Sequence, residues 1–94
     1  MQNPTVGRIV HVHLIAPGGP NKGQLVTRPA IVVEAWGGKD SAINVRVFLD
    51  GWNDLGDAHL DGAVLAAAEW ISSVTALVAG EEPRERTWSW PPRA

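Results

Sequence analysis

Residues 5–14 alternate. Val6, Arg8, Val10, Val12 and Leu14 fall on one face of an extended chain, and Gly7, Ile9, His11 and His13 on the other. A period of two over β-branched residues predicts a strand. Residues 28–36 predict a second strand, with Pro29 at its start or on an edge because proline has no N–H to donate. In residues 42–49, Ile43, Val45, Val47 and Leu49 alternate with Asn44, Arg46 and Phe48. That third strand follows a turn at residues 37–41, so the second and third strands read as a hairpin.

Between these runs lie breakers. Residues 16–27 hold two Pro and three Gly and predict a long exposed loop. Residues 52–62, with Asp54, Asp57 and Asp61, predict a polar loop. Residues 63–79 fit two patterns. Val64, Ala67, Ile71, Val74 and Val78 make a helical stripe with Asp61 as an N-cap. Trp70, Ser72, Val74, Ala76 and Val78 also alternate, and residues 70–75 are rich in strand formers. Three strands make a poor barrel, which favours a fourth strand here. Residues 80–86 form a charged loop, and residues 87–90 a short closing strand stopped by Pro91 and Pro92. The expectation is a mainly β chain, one domain over residues 1–94 with extended termini at 1–4 and 91–94. It is a small five-stranded SH3-like barrel, with room for one short helix in 57–70.

Composition narrows the function more than the fold. A chain of 94 residues buries only about 60–65% of its unfolded surface, so its core is thin. It has no Cys to supplement that core with disulfides. Residues 1–8 lack the apolar stretch of a signal peptide, and the longest apolar run, 63–68, is far too short to span a membrane. These features read as a soluble protein made in the cytoplasm. The net charge of −2 argues against general nucleic-acid binding. Residues 1–47 carry five Lys/Arg against two acids, and residues 48–94 three against eight. Such a dipolar chain suits docking on a charged scaffold or self-association. Five Trp and one Phe with no Tyr is more Trp than a small core needs, and a surplus at the surface implies an interface.

No set of residues makes a catalytic site. His11 and His13, two apart on a strand, share a face, and His59 with Asp57 and Asp61 would complete a metal set. Nothing in the chain brings His59 to His11, so ordinary histidines, no metal and no cofactor are expected. Residues 18–23 fail the phosphate-loop pattern, and Pro20 removes a donor. Asp50, Asp54, Asp57 and Asp61 are candidate acids without a matched nucleophile, so no enzyme and no small-molecule substrate are expected. Arg8, Arg28 and Arg46 on three strands, with exposed Trp, would suit single-stranded nucleic acid; the expected role is ordinary surface charge. Trp88 and Trp90 share a face. Trp88 is expected in the core, while Trp90, beside a stiff Pro91-Pro92 exit, is an anchor for a neighbour.

The ordered set residues 7–11, 28–33, Trp36, Asn44-Val45, Val47-Phe48, Asp50-Gly51, Trp70, Ser73-Val74 and residues 88–93 resembles a group of small proteins encoded by tailed phages and prophages. The resemblance covers nearly the whole chain. It departs at residues 63–68, where a shorter connection is expected. It transfers no catalytic residues. It implies a phage structural protein, a capsid decoration (cement) or other virion accessory. Its partners would be the major capsid or other virion proteins, and its location the virion, assembled in the bacterial host cytoplasm. The interface residues expected are Trp52, Trp90, Arg93, Asn21 and Lys22, with the 16–24 loop. The alternative is an intracellular SH3-like adaptor for a peptide or single-stranded nucleic acid.

Overall fold

A computed structural model describes residues 3–38, 41–56, 68–77 and 80–92. The strands are β1 (Ile9–Ile15), β2 (Leu25–Ala35), β3 (Ile43–Phe48), β4 (Ala68–Ala76) and β5 (Thr87–Ser89), with a π-helical turn at Gly51–Leu55. They close into a barrel in chain order, β5 returning to β1. Neighbours pair antiparallel except β4 with β5, which run parallel. This is the small five-stranded barrel the alternation predicted. The fourth element is a strand across residues 68–76, where the strand formers lie. The rest of the suggested helix, residues 57–67, falls outside the described residues.

Among the described residues, seven of the ten in the buried core are β-branched. Val10, Val12 and Leu14 of β1, Ala30 and Val32 of β2, Ile43, Val45 and Val47 of β3, Val74 of β4 and Trp88 of β5 form the buried core. Every strand contributes, so no strand can leave without exposing apolar surface. Trp88 is in the core as expected, and its indole N–H donates to the Ser41 carbonyl at 3.0 Å, which meets its one polar requirement.

Two strand boundaries differ from expectation. β1 starts at Ile9, not residue 5. Gly7 sits at φ 92, and Arg8 N donates to Thr5 O at 3.0 Å, so the residues before Ile9 form a turn. β2 starts at Leu25, three residues earlier than expected, which puts Pro29 inside it. Val32 exchanges main-chain bonds with Gly7 and Arg8, on the β1 side. The alternation therefore turns the nitrogen of Pro29 toward β3. There β3 ends at Phe48, one rung past the Ala30–Val47 pair, so little ladder is lost.

Candidate interaction surface

The barrel's outer face should be polar, but over β1, β2 and β3 much of it is not. Ala30 and Val32 point inward, so Pro29, Ile31 and Val33 point out. Ile31 stands opposite Ile9 on β1 and Arg46 on β3. Ile9 is 56% exposed, and Ile31, Val33 and Phe48 are between 36% and 40% exposed. Side chains directly opposite across a ladder lie close enough to touch. The result is an apolar pair across β1 and β2, with Arg46 opposite Ile31 on β3 and Phe48 beside it, diagonal to Ile31. Exposed apolar surface of this kind marks contact sites.

Two tryptophans add to the exposed apolar surface. Trp36, just past the end of β2, is 62% exposed, and Trp52, in the π-helical turn, is 52% exposed. Trp52 was expected at an interface, and its exposure is compatible with that role. Trp90 is placed differently. It is half-buried, packs on the core, and meets Trp88 edge-to-face with ring centroids 5.4 Å apart. The Arg8 guanidinium lies 5.5 Å from its ring centroid. Much of Trp90 therefore covers the core. Arg93 lies outside the described residues.

The 16–24 loop, part of the stretch 16–27 expected to be a long exposed loop, is tied down along its length. Gly18 N donates to Asp54 O at 2.8 Å, and Asn21 N to Asn53 O at 2.9 Å. Gly23 N and Gln24 O close its base on Ala16. The Asn21 side-chain amide donates to Asp54 Oδ1 at 3.1 Å. Asn21 is thus committed to holding the loop, while Lys22 is exposed at its tip.

Asp54 is the hub of this arrangement. Its carboxylate is fully buried and accepts from Arg28 Nε at 2.6 Å, Arg28 Nη2 at 2.7 Å, Asn21 and the Asp50 main-chain N–H. These donors, Arg28 foremost, hold its pKa at about 2 against the usual 3.8. Asp54 is therefore an ionised structural group. Asp50 accepts from the Asn53 amide at 3.0 Å, while Asp57, Asp61 and His59 lie outside the described residues.

His13 is buried on the side of β1 that faces away from the core. Its Nδ1 pairs with Thr27 Oγ1 at 2.8 Å and its Nε2 with Ser89 Oγ at 3.1 Å, linking β1 to both neighbouring strands. Burial, then the charge of His11, pushes its pKa below 6.5. Both ring nitrogens are occupied by hydroxyls, so His13 does not offer a lone pair to a ligand. The three basic residues expected on separate strands have different settings: Arg28 of β2 grips Asp54, Arg8 precedes β1 and lies over Trp90, and Arg46 of β3 stands opposite Ile31.

The exposed apolar set was missed in the sequence, although a signal existed. Residues 30–33 are apolar without a break, and a strand covered on one face only should alternate. No family model, curated protein or solved structure matches the chain. No helix among the described residues is long and apolar enough to cross a membrane.

Proposed function

We propose that this chain is a non-enzymatic structural protein of a bacteriophage particle, seated on a major capsid or other virion protein as a decoration or similar accessory. The observation that carries the contact is the outward apolar set Ile9, Ile31, Val33 and Phe48 on a barrel whose core is already filled. Covering such a face on a neighbour removes apolar surface from water at roughly 25 cal/mol per Å². Arg46, opposite Ile31, sets orientation by charge. Trp36 just past the end of β2, Trp52 in the π-helical turn and Lys22 at the loop tip are further exposed residues open to contact. The sequence resemblance supports the virion setting.

The test is mass spectrometry of purified mature particles of the encoding phage. The chain is expected in stoichiometric amount with a structural component. Its absence from particles, with the protein present in the lysate, overturns the reading.

A further inference from the structure

The barrel wall has a gap beside its shortest strand. Among the described residues, β5 pairs with β1 only at His11–His13, and with β4 only at Thr75 and Ala76. Arg86 is the last residue to bridge both walls: its N–H donates to His13 O at 2.8 Å, and its carbonyl accepts from Thr75 N at 3.2 Å. Arg86 has φ 64, a left-handed conformation that turns the preceding chain away. Beyond it, Leu14 and Ile15 of β1 and residues 68–72 of β4 have no ladder partner on this side among the described residues.

An open cleft of about 300 Å³ occupies the gap. Leu14, Ile15, Pro17 and Ile71 give it an apolar lining, and Glu85 and Arg86 stand at its edge. Arg86 Nη2 donates to the Ser72 carbonyl at 2.6 Å, which identifies that carbonyl as a main-chain acceptor on the open side. Unpaired strand edges are templates for another strand.

We infer that this cleft binds a short extended peptide, added to the wall as a continuation of β5. Roughly three residues of extended chain fit a gap of this size. The peptide's main chain bonds the β4 edge beside the Ser72 carbonyl that Arg86 holds, and successive side chains meet Ile71 on the core side and Ile15 on the outer side. Charge sets a further preference. The loop over residues 80–86 carries Glu81, Glu82 and Glu85 against Arg84 and Arg86. Arg84 lies 3.5 Å from Glu81, and Arg86 is engaged with Ser72. Glu85, at the edge of the cleft, is left to attract a lysine or arginine flanking the apolar residues. This site is separate from the outer face of β1, β2 and β3, and does not depend on the virion reading.

The experiment is an NMR titration of the whole ¹⁵N-labelled chain with the acetylated, amidated peptide lysine-valine-threonine-valine-threonine-lysine. The control is the same peptide N-methylated at every second residue, which keeps side chains and charge but removes strand-pairing donors. Amide shifts are expected at Ile15, Ile71, Ser72 and Arg86, saturating with Kd below about 1 mM, and roughly tenfold weaker or absent for the control. Ile15→Asp, at a partly exposed position, should abolish the shifts while leaving the thermal midpoint within a few degrees. No saturable shifts, equal binding of the control, or binding unaffected by Ile15→Asp would overturn the inference.

Discussion

Arg28 grips Asp54 by two points, Nε to Oδ2 at 2.6 Å and Nη2 to Oδ1 at 2.7 Å, across 26 positions of sequence. The carboxylate is fully buried, and the arginine keeps partial access to water. This fork joins β2 to the π-helical turn, and Asn21 brings the 16–24 loop onto the same carboxylate. One end of the barrel is thus organised around a single charge pair.

Removing Arg28 should therefore cost more than removing an ordinary surface charge. Arg28→Ala leaves a buried anion with only Asn21 and the Asp50 N–H, and should destabilise by about 3 kcal/mol in urea unfolding. Asp54→Ala frees an arginine that can turn to solvent, so its loss should be smaller. The double variant should lose less than the two singles combined, as coupled partners do. Additive losses would show that the fork contributes little.

Stability should fall with acid in two stages. His13 has a folded-state pKa pushed below 6.5 by burial, then by His11. The unfolded chain takes that proton first, so stability is unaffected above about pH 6.5 and declines below it until the folded ring also protonates. Asp54, held at about 2, contributes fully above the usual carboxylate range. That contribution of about 2 kcal/mol is lost as pH falls from about 4 toward 2. Urea midpoints measured from pH 8 to pH 2 should show both stages. His13→Gln should flatten the first, and Asp54→Asn should reduce the second.

The 16–24 loop gives a paired test of close packing. Gly19 has φ 68, and a Cβ there would collide with the Trp52 carbonyl and come within 2.7 Å of the Asn53 carbonyl. Gly23 has φ 80 but open space around it. Gly23→Ala should lose about 1 kcal/mol from backbone strain alone. Gly19→Ala should lose clearly more, because backbone must shift. Equal losses in thermal or urea unfolding would show that the loop does not rest on the π-helical turn.

The strands were legible because their period is short and local. Val10, Val12 and Leu14, and Ile43, Val45 and Val47, lie on the faces the alternation assigned them. The fourth strand was ambiguous because its Ala-rich approach matches a helix as well, and only residues 70–75 favour extension. Asp54 could not be singled out. It is one of several acids in a polar stretch, and its partner is far away in sequence, where no periodicity points. Nothing local in the sequence pairs Asn21, expected at an interface, with Asp54, yet its amide meets that buried carboxylate. The outer apolar face required register as well as pattern. Ile9, Ile31 and Phe48 become one surface only when their strands are aligned.

The central claim is that this face carries the contact with a virion neighbour, and Ile31→Glu tests it most directly. Ile31 is partly exposed and points away from the core, so the variant should unfold within about 0.5–1 kcal/mol of the parent. The measurement is the amount of each protein that co-sediments with purified particles lacking the chain. The parent should bind to saturation, and Ile31→Glu should bind at least roughly tenfold more weakly, equivalent to about 1.4 kcal/mol. Equal binding of both, or failure of the folded parent to bind at all, would contradict the account.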